Sequence, residues 1–227
     1  MLENCSRRLP YPVHYTITMP TPEEYIHCDE LGNLPGLNRE NYYYEHNLLV
    51  QGLPQDAQLL QVGSMDGMRA VRLLAERPDL HFTGLELEEA LVELARTNVL
   101  EAGATATFVQ GDITVPPSLP RFDYVACLNN TLGYIQNQAA AIKAMKNLGK
   151  TVVISVYGEN FTDQLAHEYF AKMDTVVERI EGDTFVMVGG WRVRRYTRAD
   201  VESWRGAVTE SPLGYMCVLG ASDLAQL

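Results

Sequence analysis

Residues Leu59-Leu60-Gln61-Val62-Gly63-Ser64-Met65-Asp66-Gly67-Met68-Arg69-Ala70 read as a short apolar strand, a glycine turn and the start of a helix. A second apolar run, His81-Phe82-Thr83-Gly84-Leu85-Glu86, follows and ends on an acid. Strand, glycine turn, helix and acid-terminated strand are the order in which an open α/β sheet receives an adenosine-containing ligand. The turn lets the ligand approach the backbone, and the acid accepts from ribose hydroxyls. A dinucleotide needs the spacing G-x-G-x-x-G, because its pyrophosphate presses on the backbone at a helix N-terminus. Counted from Gly63, the second and third glycine positions hold Met65 and Met68. The dinucleotide fingerprint fails twice.

The alternative spacing, acid-x-G-x-G-x-G, suits S-adenosylmethionine, which has no phosphate to cradle. Gly63 and Gly67 fit it, whereas Gln61 stands in the acid position and Met65 in the middle glycine position. Four further segments fall in order along the chain. Gly84 to Ala95 resembles the second-strand motif of the class I S-adenosylmethionine-dependent methyltransferases, and Phe108-Val109-Gln110-Gly111-Asp112-Ile113 resembles their third-strand motif. Arg121 to Asn130 is similar to the fourth strand and its loop, and Ala144 to Lys150 to the turn before the fifth strand. The resemblance covers roughly 58–157 and extends loosely to the C-terminus.

That resemblance implies a mostly parallel, seven-stranded α/β sheet with helices on both faces and antiparallel C-terminal strands. It also implies site residues. Gly63 and Gly67 form the turn, Glu86 takes the ribose diol, and Leu87 packs on the adenine. Asp112 accepts from the adenine amino group, with Ile113 alongside. Leu128 and Asn129 meet the methionine end through backbone groups, and Gln61 accepts from the ammonium without carrying charge. The loop 129–134 is where the acceptor falls, with Tyr134 the candidate catalytic hydroxyl and Asn130 beside it. Tyr157 and Glu159, past the fifth strand, are further substrate-side candidates. Met65 is expected to strain the turn, since a side chain stands where glycine is at ease.

Alternation of apolar runs predicts strands at 58–63, 81–86, 105–110, 122–128 and 150–157, and helices near 67–76, 88–101, 137–147 and 162–173. In the helix after Glu86, Leu87, Leu91, Leu94, Ala95 and Asn98 share a face, with glutamates mostly opposite. Beyond it, 175–180 and 184–188 flank the turn signal Glu181-Gly182-Asp183. Thr197 and Asp200 have the spacing of a capping box opening a short helix, and 213–219 reads as a last strand. Trp191 to Tyr196 is locally basic. It reads as a solvated strand face with Arg192 and Arg194 on one side, the alternative being an anion site.

Residues 1–54 are set apart as an N-terminal extension, with 55–227 as the methyltransferase domain. The extension holds six prolines and six tyrosines. Asn38 is expected to cap a helix through Tyr42 to Leu49, and the resemblance makes the whole segment a lid over the cofactor. The alternative is an extension covering one sheet edge. A chain of 227 residues with a formal charge of −11 is too acidic for a nucleic-acid groove, which needs clustered Lys and Arg. No apolar run approaches the roughly 20 residues of a membrane span, and the N-terminus lacks a secretory pattern. Cys5, Cys28, Cys127 and Cys217 form no CxxC pair, and the five histidines show no metal-ligand spacing. These features read as a cytoplasmic protein with reduced thiols and no metal. The expected activity is methyl transfer from S-adenosylmethionine to a nitrogen or oxygen of a small-molecule acceptor, with nitrogen slightly favoured because no histidine base stands out. Two rival readings are a non-catalytic sensor or partner subunit of the same fold, suggested by Gln61 and Met65, and a nicotinamide-dependent oxidoreductase, disfavoured by the missing glycines. The sequence sets no oligomeric state.

Overall fold

The structure, a computed structural model, describes residues 35–220. The chain begins with helix α1 (Gly36–Gly52), then runs β1 (Gln58–Val62), α2 (Met68–Glu76), β2 (His81–Glu86), α3 (Glu89–Glu101) and β3 (Thr107–Gln110). It continues through β4 (Phe122–Cys127), a one-turn α4 (Thr131–Tyr134), α5 (Gln138–Leu148), β5 (Gly149–Tyr157) and α6 (Asp163–Lys172). Three short strands follow, β6 (Val177–Glu181), β7 (Thr184–Met187) and β8 (Arg192–Arg194), then α7 (Arg198–Glu202), β9 (Ala207–Ser211) and β10 (Gly214–Leu219).

The main sheet has seven strands in the order β3-β2-β1-β4-β5-β10-β9. Strands β1 to β5 are parallel. Only β10 is reversed, pairing antiparallel with both β5 and β9. Strand order turns at β1 and β4, so the crevice for a ligand opens at their carboxyl ends. Successive side chains go to opposite faces. Leu59 and Ala126 pack under α1, α2 and α3, while Leu60, Val62 and Val125 pack with Ala141 and Met145 of α5. A third apolar cluster joins Phe170 of α6 to Phe185, Met187 and Val193 of a separate three-stranded antiparallel sheet, β6-β7-β8.

The predicted strands and helices of 58–173 appear with bounds shifted by one or two residues. Thr197 and Asp200 make the expected capping box on α7. Several expectations are corrected. Asn38 does not cap a helix: α1 starts at Gly36 after Pro35, and Asn38 lies buried inside it. On α3 the buried face is Leu91, Val92, Ala95 and Val99, with Leu87 left 53% exposed. The β-prone runs at 175–180 and 184–188, read only as flanking a turn, form the small sheet with β8. Most of the N-terminal extension, 1–34, lies outside the described residues. Its remaining part, α1, shares the core cluster of β1 through Leu48, Leu49 and Leu53.

Arg77 fastens the end of α1. Its guanidinium donates to the carbonyls of Val50, Leu53 and Pro54 at 2.7–2.9 Å, satisfying acceptors that a helix terminus leaves open. Asp79 holds that guanidinium from the other side at 2.7 Å.

Candidate functional site

A cavity of about 530 Å³ opens at the carboxyl ends of β1, β2 and β4, within the range of small-molecule sites, roughly 300–1,000 Å³. Its floor is loop backbone. Gly63 and Met65 both have left-handed φ, +68° and +50°, and for Met65 this is the strain its side chain implies. A Cβ on Gly63 would come within 2.5 Å of the Thr131 side chain. Gly67, by contrast, does not line the cavity. Its φ is +77° and a Cβ there would meet Ala95 at 2.9 Å, so this glycine lets α2 approach α3.

Glu86 ends β2 with its carboxylate facing the cavity, 8% exposed. One oxygen accepts from Met65 N at 2.9 Å and the other from Leu87 N at 2.8 Å and Glu88 N at 3.3 Å. Burial raises its pKa, and these N–H donors oppose the rise. Oε2, which accepts from Met65 N alone, has a second lone pair to offer a diol. Leu87, Asp112, Ile113 and Leu128 also line the cavity. Asp112 fixes its own loop by accepting from Thr114 N at 2.7 Å.

Two consecutive asparagines carry the chain out of β4, with φ of +50° at Asn129 and +59° at Asn130. Asparagine tolerates this region better than most residues. The turn aims Asn129 N at the Glu45 carboxylate of α1, 2.9 Å away. Asn129 lines the cavity, but three other candidates do not. Asn130 is fully buried, accepting from Tyr157 N at 3.1 Å and donating to Arg194 O at 3.0 Å, so it ties β5 to β8. The Tyr157 hydroxyl donates to Asn129 Oδ1 at 2.9 Å from behind the wall. Glu159 accepts from Tyr215 in an exposed position. Tyr134 does line the cavity, its ring stacked on Trp191 at 5.7 Å.

Several lining residues escaped the sequence reading. Tyr42 and Arg69 come from α1 and α2, Tyr169 and Met173 from α6 and its end, and Trp191 and Arg192 from the approach to β8. Arg192 and Arg194 do share one side of β8, as read, but Arg192 also borders the cavity while paired with Glu181. The signal for Trp191 was present, an aromatic beside a basic run. For Arg69 there was none beyond its place in the first turn after the glycines. Beneath the wall, Arg69 and Glu45 form a buried ion pair at 2.8 Å, with side chains 8% and 0% exposed. Asn41 donates to the same carboxylate at 3.0 Å, and the Arg69 guanidinium lies 4.1 Å from the Tyr42 ring centroid.

Whether these residues suit S-adenosylmethionine is decided by Gln61. Its side chain lines the cavity, yet Oε1 is buried with no hydrogen-bond partner among the described residues. An unmet acceptor at the carboxyl end of β1 fits an ammonium, and no phosphate cradle competes with it. The residues fit the cofactor. Among the described residues no group of His, Cys, Asp and Glu could hold a metal ion.

A family model described as a methyltransferase domain matches residues 59–151. No curated protein matches the chain in sequence. Solved structures share its fold. The sugar N-methyltransferase KedS8 of a Streptoalloteichus species is 14% identical, with 95% of this chain and 100% of that one covered and a TM-score of 0.60. CalS10 with S-adenosylmethionine bound, an amino pentose methyltransferase from Micromonospora echinaspora, is 17% identical over 92% and 99%, at 0.58. DesVI from Streptomyces venezuelae is 16% identical over 87% and 95%, at 0.56. The chain shares the Rossmann-like fold of these methyltransferase structures. Within that fold, residues 59–151 are the part that matches the methyltransferase-domain model.

Proposed function

We propose that the protein transfers a methyl group to a nitrogen of a small-molecule acceptor. The observation that carries this reading is the make-up of the cavity beyond the strand ends. There the wall is aromatic, built from Tyr134, Tyr169 and Trp191, and among the described residues no histidine lines the cavity. A hydroxyl acceptor would need a base to take its proton. An amine brings its own lone pair once it is neutral, and leaving water for an apolar chamber lowers its pKa. Aromatic faces also attract a cationic amine on entry and the sulfonium centre beside it. When bound, the cofactor supplies a methyl carbon already activated by that sulfonium.

The chain's own residues supply position and exclusion of water. Glu86, Asp112 and Gln61 orient the nucleoside and amino-acid ends, with Leu87 and Ile113 against the base. Tyr134 orients the acceptor from the loop after β4. Helix α1 borders the cavity through Tyr42. The sugar N-methyltransferase and amino pentose methyltransferase named above support an amino sugar as one acceptor to try. The net charge of −11 favours small molecules over nucleic acid, and two free, buried cysteines, Cys127 and Cys217, accord with action in the cytoplasm. No helix among the described residues is long and apolar enough to cross a membrane.

The test is incubation of the full chain with methyl-labelled cofactor and a panel of small amines, amino sugars included, beside their hydroxyl counterparts. Label is expected in the amines. Label confined to the hydroxyl compounds would overturn the nitrogen assignment. No product from the panel or from a metabolite extract would favour a non-catalytic sensor.

A further inference from the structure

Two residues that line this cavity each carry a buried polar atom, of opposite kind. Gln61 Oε1 is an acceptor and Arg69 Nη1 a donor, and neither has a hydrogen-bond partner among the described residues. The two residues are 5% and 7% exposed. By strand alternation Gln61 faces the same side of the sheet as Leu59, the side covered by α1 and α2. Buried polar groups are normally satisfied. An unmet acceptor and an unmet donor in one chamber match a ligand end that carries an ammonium and a carboxylate together.

We propose that Arg69 binds the carboxylate of the cofactor's amino-acid end while Gln61 accepts from its ammonium. The inference rests on S-adenosylmethionine as the cofactor and assigns a residue to it from α2 rather than from a strand end. The guanidinium is preset for this task. Glu45 holds Nη2 at 2.8 Å and the Tyr42 ring supports its face, 4.1 Å from the centroid. Nη1 is left as the edge that has no protein partner. The same arrangement accounts for the neutral side chain at position 61. An acid on that face of the sheet would pair with Nη1 and compete with the cofactor's carboxylate. A glutamine accepts from the ammonium and leaves the arginine to its ligand. The missing acid and the arginine form one device.

The experiment compares two probes by calorimetry on the full chain. One is S-adenosylhomocysteine; the other is its decarboxylated counterpart, which keeps the amine and lacks the carboxylate. The unaltered protein should prefer the first by about tenfold or more, the scale of a charge-assisted hydrogen bond. The double variant Arg69→Met with Glu45→Gln, which removes both charges so that neither is left buried alone, should bring that ratio to about one. Binding of the decarboxylated probe should change little. Gln61→Glu should weaken S-adenosylhomocysteine. A ratio near one in the unaltered protein overturns the proposal without any variant having to fold. So does a ratio kept by the double variant, an equal loss for both probes, or tighter binding by Gln61→Glu. Failure of the unaltered protein to bind either probe would instead refute the cofactor assignment beneath it.

Discussion

The two halves of the cavity are built in different ways. The half at the strand ends is made by turns, with backbone N–H groups from Met65, Leu87 and Glu88 gathered on the Glu86 carboxylate. The other half is made by side chains that come from elements far apart in sequence: Tyr134 after β4, Tyr169 on α6, and Trp191 before β8. The first half can hold a cofactor common to many enzymes with little dependence on its neighbours. The second can change its acceptor by changing a few side chains, while the sheet stays as it is.

Glu45 is where α1 is joined to the strand-end half, and it should give the largest effect. It accepts from Asn129 N, Asn41 and Arg69 at once. Glu45→Ala leaves Arg69 charged and buried without its partner, a loss of about 3–5 kcal/mol when one member of a buried pair is removed. Urea unfolding checks this. A change below about 1 kcal/mol would mean that α1 is not fastened to the strand ends through this residue.

Within the cofactor half, Glu86→Ala should weaken S-adenosylhomocysteine by about tenfold or more, from a charge-assisted hydrogen bond worth roughly 1.5–3 kcal/mol. Asp112→Ala should act in the same direction. Calorimetry reads both. Normal binding by both variants would show that the nucleoside does not lie along β2 and β3. Within the acceptor half, Tyr134→Phe keeps the ring on Trp191 and removes the hydroxyl. Turnover should fall by about tenfold while cofactor affinity stays within about twofold. Equal losses in binding and turnover would break the division between the halves.

The sequence made the first half legible and the second largely not, for physical reasons. Strand ends and their turns are local: Gly63, Glu86 and Asp112 declare themselves within a few residues of an apolar run. Helix α1 hid its role because four polar residues, Asn38, Asn41, Glu45 and His46, lie buried in it alongside Tyr42, Leu48 and Leu49. A reader following apolar spacing sees only a helix through Leu49. The small sheet showed two β-prone runs and a turn, but nothing in the chain says that β8 would join them apart from the main sheet. Strand β9, Ala-Val-Thr-Glu-Ser at the sheet's edge, carries too little apolar pattern to be read. Asn130 and Tyr157 were placed in the site because they stand at the correct edge. The structure turns both toward the framework instead, where they bind backbone and Asn129.

The smallest effect concerns how α1 is tethered. The Arg77 hydrogen bond holds the Asp79 carboxyl down at about 2, against an ordinary 3.8. A lowered acid adds stability above its unfolded value and loses it as pH falls through the folded one. The stability gap between the protein and Asp79→Asn should therefore be constant above about pH 5 and close between roughly pH 4 and 2. Urea midpoints across that range check it, and a gap that does not vary with pH would show that the charge contributes nothing to the tether.

The most direct test of the two-part cavity is a crystal structure of the full chain with S-adenosylhomocysteine. The account predicts ligand density along the strand ends, with the ribose at Glu86, the base between Leu87 and Ile113, and the amino-acid end toward Gln61 and Arg69. The chamber beside Tyr134 and Trp191 should stay open to an acceptor. Density seated against Tyr134 and Trp191, with Glu86 still bonded only to its backbone neighbours, would contradict it.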